Sequence, residues 1–406
     1  MVVYLDHAAT TPMLPEAIRA YADALGVVGN PASIHSQGQA AKRMLEEARE
    51  QIAATLGCDP IEVVLTSGGT EAVNLAIKGI WWARNRGIAR PVILAPGGEH
   101  HATIDTLEWL EQHEGAEVGW LELDDDGRVR PETVQHAFDR YGDRVALVTL
   151  LWANNEVGTI QPVTEIAALA AAFGVPVHVD AVAAYGYLET NFRAVRDASG
   201  SAGGAGLIAM SVSAHKIGGP VGVGALVLSR SASIEPLLHG GGQQRQVRSG
   251  TQDVAGALSF AVAAEHTARH RSDEADRLAA LRDRLIDGIL TAVPAARLNG
   301  PAGGGRLPGN VHVAFAGCEG DSLLFLLDMA GVSVSTGSAC QAGIPEPSHV
   351  LRAMGRSELE ARGALRVTLG HTTTDADVDA LLGALPGAYA QASRAGLSDR
   401  TTTLGA

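Results

Sequence analysis

Two ionisable residues stand where apolar runs of this chain end. Leu207–Val212 reads as a short buried strand, and Ser213-Ala214-His215-Lys216 follows it, ahead of the glycine-rich Gly218-Gly219-Pro220. Lys216 is therefore expected on a turn at a strand's end, where its amine can reach a ligand. A second run, Val175-Pro176-Val177-His178-Val179, closes on Asp180 and puts a carboxylate at the carboxyl end of another strand. In an open parallel sheet, that edge is where ligands bind.

An amine and a carboxylate so placed suit pyridoxal phosphate (PLP). Its aldehyde needs a lysine for a Schiff base, and its ring nitrogen needs an acid beside it to stay protonated and draw electrons from a carbanion. Alone, the pair also fits a capping aspartate and a solvated lysine. A third constellation adds to it. Thr66-Ser67-Gly68-Gly69-Thr70-Glu71 follows one predicted strand and opens the helix Ala72–Trp82. Backbone N–H groups at a helix start, small residues and hydroxyl donors make an anion cradle of the kind a phosphate needs, although an ordinary helix cap has the same appearance.

The elements that must position these groups follow from size and pattern. At 406 residues the chain exceeds the ~250–300 at which single cores stop growing, so two domains are expected. A hydrophobic content of 46% with 19% charged residues describes a well-buried globular protein. The net charge of −14 argues against a surface built for nucleic acid or anionic membrane. Neither a signal peptide nor a membrane span is read from the pattern. The three cysteines, Cys58, Cys318 and Cys340, are widely spaced, which indicates neither a disulfide framework nor a metal cluster. A soluble, cytoplasmic protein is expected.

Strand-like runs occur at Glu62–Thr66, Pro91–Ala95, Val145–Leu150, Val175–Asp180, Leu207–Val212 and Val223–Ser229, with helices expected near 37–56, 70–84, 101–114, 131–141 and 162–173. That alternation predicts an α/β fold, a mostly parallel sheet with helices on both faces. Two long helical stretches, Gln252–Arg271 and Asp273–Thr291, come next, and the strand Val311–Phe315 belongs to a smaller C-terminal α+β domain. The expected division is an N-terminal segment 1–13 packing on the small domain, a large PLP-binding domain 14–260, a small domain 261–391 and a frayed tail 392–406. Asp197–Gly206, rich in Gly, Ala and Ser, reads as a surface insertion.

The ordered set Tyr4–Pro12, Gly29-Asn30-Pro31-Ala32-Ser33, Thr66–Glu71, Glu99-His100-His101, Asn154-Asn155-Glu156-Val157-Gly158, Val179-Asp180-Ala181, Ser213–Lys216, Arg248-Ser249-Gly250-Thr251, Ser335–Cys340 and Leu365–Gly370 closely resembles the cysteine desulfurases. The resemblance is to the housekeeping kind that supplies sulfur for iron–sulfur clusters and tRNA thiolation, in the class V branch of fold type I PLP enzymes. It is collinear from residue 4 to about 385.

The resemblance implies a fold type I transferase and the following roles. Lys216 holds PLP and moves the proton between the substrate Cα and the cofactor, while Asp180 pairs with the ring nitrogen. Gly69, Thr70, Ser213, His215 and, from the neighbouring subunit of a homodimer, Thr251 hold the phosphate. Asn155 touches the phenolic oxygen and the substrate; Arg366, with Asn30, grips the substrate carboxylate as a guanidinium fork does well. His100 is the acid/base at the substrate thiol, with the adjacent His101 as its competitor.

Cys340 differs from Cys58 and Cys318, which read as buried and inert. Its neighbours Ser335–Ala339 and Gln341–Gly343 are small or polar with no core periodicity, so a flexible, exposed loop is expected. A thiolate there attacks the sulfur of PLP-bound L-cysteine, takes it as a persulfide and releases L-alanine. An iron–sulfur scaffold protein or a tRNA-thiolating enzyme is the implied acceptor, with no stable metal site and only a transient contact of Cys340 with a nascent cluster. No direct nucleic-acid or membrane contact is implied.

One position departs from the family. Ala183 stands where a glutamine usually donates to the cofactor's phenolate, a bond worth roughly 1.5–3 kcal/mol, which leaves water, Asn155 or Tyr185 to compensate. A selenocysteine lyase or another class V transferase would share Lys216, Asp180 and the cradle. A non-catalytic binding protein of the same fold is favoured by Ala183 alone.

Overall fold

The computed structural model describes residues 2–337 and 347–396, with side chains as far as Arg394. Its strands are β1 (Val3–Tyr4), β2 (Val63–Thr66), β3 (Val92–Pro96), β4 (Glu117–Leu121), β5 (Val145–Leu151), β6 (Pro176–Asp180), β7 (Gly206–Ser213), β8 (Gly224–Leu228), β9 (Ala296–Leu298), β10 (Asn310–Phe315), β11 (Val332–Ser333) and β12 (Ala364–Thr368).

Seven of these form the main sheet, in the order β2-β8-β7-β6-β5-β3-β4. Every pair is parallel except those made by β8, which runs against both neighbours. Strands β2, β3, β5, β6 and β7 therefore deliver their carboxyl ends to one edge. The period of two sends alternate side chains to opposite faces. Val63, Leu65, Val92 and Leu94 enter one core with the helices Ser36–Leu56 and Pro131–Tyr141, whereas Val64, Ile93 and Ala95 enter another with Gly69–Arg84 and His101–Glu114.

A third core is built on the antiparallel sheet β12-β10-β9 and the parallel pair β1–β11. Leu5 is fully buried in it. The helix Val254–Ala292 runs unbroken for 39 residues where the sequence suggests two helices. Its first half packs Ala257, Phe260 and Ala264 into the large core, and its second half packs Leu278, Leu285 and Ile289 into the small one. The intervening turns are not buried, and this polar stretch imitates a break.

Two further differences from the sequence reading have local causes. Strand β4 was not expected because Glu117-Val118-Gly119-Trp120-Leu121 is no continuous apolar run; as an edge strand paired only to β3, it needs none. The last helix, Asp375–Gly396, continues past the residue where the composition suggests a frayed tail, because Leu385, Ala388 and Ala392 keep one stripe buried. Asp197–Gly206 closes the short helix Phe192–Ala198 and returns through a largely exposed turn to β7. No helix among the described residues is long and apolar enough to cross a membrane.

Candidate active site

A cavity of about 400 Å³ opens at the carboxyl edge of the main sheet and is closed from the other side by β12 and the N-terminal segment. Gly69, Thr70, His100, Asn155, Asp180, Ser213, His215, Lys216 and Arg366 all line it. The separate sequence signals thus converge on one space: all but Arg366 lie at or just after strand ends on the same edge, and Arg366 reaches it from β12 of the other sheet.

The expected phosphate cradle falls on the turn from Thr66 into the helix that begins at Gly69. A Cβ at Gly69 would stand 2.7 Å from Val182 Cγ2 and 3.6 Å from Ser213 Cβ, so only glycine lets the helix start lie this close to β6 and β7. The cradle is braced from outside: Ser67 N donates to Glu71 Oε2 at 2.6 Å, and Arg248 Nε donates to Glu71 Oε1 at 2.8 Å. The Ser213 hydroxyl is buried with no hydrogen-bond partner among the described residues, and His215 Nδ1 lies 3.2 Å from Thr10 Oγ1.

Asp180 ends β6 and is 3% exposed. One carboxylate oxygen accepts from Val182 N at 2.9 Å. Burial pushes its pKa up to about 6, with Lys216 pulling the other way. Such a carboxylate suits a ring N–H cation. Ser213, the open helix start and Asp180 together fit the phosphate and pyridinium ends of PLP, and Lys216 lines the same cavity. Lys216 sits in a single 3-10 turn after β7, with its Nζ donating to the carbonyls of Ala8 and Ala9.

His100 caps the helix His101–Glu114, its Nδ1 accepting from Ala102 N at 3.0 Å. A backbone N–H can only donate, so the proton of the neutral ring resides on Nε2. Burial, and then the Lys216 charge, lower its pKa to about 4. His101 points elsewhere: Nδ1 lies 3.2 Å from Asp105 Oδ1, and the ring packs on His349. Glu99, beside His100, is fully buried with Oε1 accepting from Leu151 N; burial, with Asp180 adding to it, holds its carboxyl well above the usual range.

Arg366 comes from β12. Its Nη2 donates to Asp6 Oδ1 at 2.9 Å and its Nη1 to Asn155 O at 3.2 Å, while Nε is buried without a partner among the described residues. Asn155 Oδ1 is likewise buried and unpartnered. Asn30 and Thr251 do not line this cavity in their own chain; Asn30 Oδ1 accepts from Ala32 N, and Thr251 is exposed.

Ala183 lines the cavity and offers no donor. Tyr185 cannot replace the missing amide, because it is buried outside the cavity with its hydroxyl 2.7 Å from Thr55 Oγ1. Asp6, His7, Tyr187 and Ser335 also line the cavity, and no role was read for them from the sequence. The signal for the first two was their place in the Tyr4–Pro12 motif. Cys340 lies outside the described residues. Its expected place follows Gly337, which does line the cavity.

A mostly parallel α/β sheet with a lysine, an acid and an anion cradle at its carboxyl edge defines a PLP-dependent enzyme of fold type I. The family model for aminotransferase class-V matches residues 3–381, and the chain belongs to that family. It is 51% identical to an IscS-like cysteine desulfurase of Mycobacterium tuberculosis over 98% of both chains. It is also similar to the solved structure of a NifS-like protein, at 31% identity and a TM-score of 0.86, covering 96% of this chain and 100% of that one. A second solved structure, SspA in complex with cysteine, matches at 30% identity and a TM-score of 0.76 over 90% of this chain and 98% of that one.

Proposed function

We propose that this protein is a cysteine desulfurase that converts L-cysteine to L-alanine and leaves the sulfur as a persulfide on Cys340. The observation that carries the reading is that Gly337 lines the same cavity as Lys216 and Arg366. From Gly337 a chain of three residues spans roughly 10 Å, enough to bring Cys340 to a substrate held there. The similarity to a cysteine desulfurase and to a structure holding cysteine supports the same substrate.

When bound, PLP supplies a covalent anchor for the amino acid and an electron sink for charge developing at its Cα. Gly69, Thr70, Ser213 and His215, with Thr251 of the partner subunit, would hold its phosphate, and Asp180 would pair with its ring nitrogen. Arg366, oriented by Asp6, grips the substrate carboxylate with its remaining N–H groups. Lys216 carries the proton away from Cα. His100 presents an Nε2–H to the substrate sulfur. The Cys340 thiolate attacks that sulfur; an S–S bond forms as the C–S bond breaks, the electron pair passes to the carbon skeleton, and protonation of that carbon yields alanine.

A homodimer is the working form, since Thr251 does not line the cavity of its own chain and reaches a phosphate only from a second copy. The acceptors are an iron–sulfur scaffold protein or a tRNA-thiolating enzyme. A cytoplasmic setting fits the Cys340 thiol, which a reducing compartment keeps from being lost to a disulfide.

A single-turnover reaction of the holoenzyme with L-cysteine tests this. Alanine together with a 32 Da gain mapping to Cys340 is the expected result. A cofactor spectrum that responds to cysteine while no sulfur reaches Cys340 would overturn it in favour of another class V activity.

A further inference from the structure

Glu156 belongs to the turn that presents Asn155 to the cavity, and the chemistry assigned above gives its side chain no task. It is 2% exposed. Asn154 Oδ1 fixes its backbone by accepting from Glu156 N at 2.9 Å and Val157 N at 3.0 Å, and Asn310 Nδ2 holds its carbonyl at 2.9 Å. The side chain lies against Ser348 and Gly337, the two ends of the segment that carries Cys340.

At the far end, Ser348 Oγ donates to Glu156 Oε2 at 2.6 Å and also caps the helix His349–Ala353. At the near end, Gly337 adopts φ +87°, and a Cβ there would stand 3.0 Å from Glu156 Oε2 and 3.4 Å from His312 Nε2. The near end thus packs closely against the carboxylate, where a side chain would be crowded and the positive φ favours glycine. Just before it, Ser335 exchanges backbone hydrogen bonds with Arg366, at 3.0 and 2.6 Å. One buried carboxylate on the turn that bears Asn155 therefore bonds the far end of the segment and packs against its near end, which Ser335 ties to the arginine of the substrate site.

We propose that Glu156 is a positioning residue for sulfur transfer, holding both ends of the Cys340 segment in register with the cofactor site through Ser348 and Gly337. The proposal rests on the desulfurase reading, since only a reaction that brings a thiol to the substrate needs such register. Steps made by Lys216 alone do not depend on it.

The test separates the two halves of the reaction in holoenzyme variants. Exchange of the L-alanine Cα hydrogen in D2O reads Lys216 and the cofactor without Cys340. The rate of persulfide formation from L-cysteine reads the transfer. Ser348→Ala and Glu156→Ala should keep alanine exchange within about twofold of wild type and slow persulfide formation at least tenfold. The double variant should be no slower than either single one, because both remove the same link. Glu156→Gln keeps an oxygen for the Ser348 hydroxyl and should stay within about threefold; should Glu156→Ala not fold, it and Ser348→Ala decide the matter. Persulfide formation at the wild-type rate in Ser348→Ala, additive losses in the double variant, or exchange that falls in step with transfer would overturn the proposal. A wild-type enzyme that forms no persulfide would instead overturn the desulfurase reading, and this proposal with it.

Discussion

Arg366 and Asp6, 360 residues apart in the chain, form an ion pair of 2.9 Å at the wall of the cavity. With Asn155 O taking a second N–H, the guanidinium is fixed in one plane before substrate arrives. Asp6→Ala is expected to raise KM for L-cysteine about tenfold with kcat much less affected. Asp6→Asn should do less harm, since its amide oxygen still accepts. Arg366→Lys should not restore binding, because an ammonium lacks the fork. Steady-state alanine formation checks all three, and an unchanged KM in Asp6→Ala would remove Asp6 from this role.

Ala183→Gln returns an amide to the cavity wall. If the cofactor's phenolic oxygen lacks a donor, the gain of roughly 1.5–3 kcal/mol tightens PLP binding by about ten- to a hundredfold. Titration of the cofactor-free protein with PLP, followed by absorbance, measures it. An unchanged affinity would mean that Asn155 already serves that oxygen.

Gly69→Ala places a methyl group 2.7 Å from Val182 Cγ2. Relief requires the helix start to move away from β6 and β7, at a cost of about 1–3 kcal/mol. PLP retention after dialysis should fall about tenfold, with the circular dichroism spectrum unchanged. Full retention would show that the helix start tolerates the shift.

His178 is a buried histidine between Thr149 and Ser211, at 2.9 and 2.8 Å, and burial lowers its pKa to about 3. Its unfolded form titrates near 6.5, so between pH 6.5 and 3 the unfolded chain binds the extra proton. The stability linked to His178 is complete above pH 6.5 and is lost as pH falls toward 3. His178→Gln should flatten the dependence of unfolding free energy on pH by about 1.4 kcal/mol per unit between pH 4 and 6. Denaturant titrations at several pH values measure this, and an unaltered slope would contradict it.

Lys216, Asp180 and the Gly69 cradle were legible because each is local: an apolar run followed within a few residues by chemistry at a turn. The parallel sheet then brings them together automatically. Asp6 and Glu156 were not legible as functional side chains, since their partners, Arg366 and Ser348, lie far along the chain and leave no period behind. The engagement of Tyr185 is hidden for a related reason. A tyrosine near Asp180 in sequence looks available, but only packing reveals that its hydroxyl is bonded to Thr55. Strand β4 escaped notice because the pattern of an edge strand is half missing.

The unbroken helix Val254–Ala292 imposes a rule on its own unburied middle turns. Its ends are gripped by different cores, and each residue of an α-helix turns the axis by about 100° and advances it by about 1.5 Å. One residue inserted among the unburied middle turns would swing the whole C-terminal half, Arg366 included, by more than a quarter of a circle relative to Lys216. Apart from contacts such as those of Arg277 with Gly370 and Thr373, the exposed side chains there can vary in kind while their number cannot. The stretch acts as a spacer whose phase, more than its composition, sets whether the two walls of the cavity face each other.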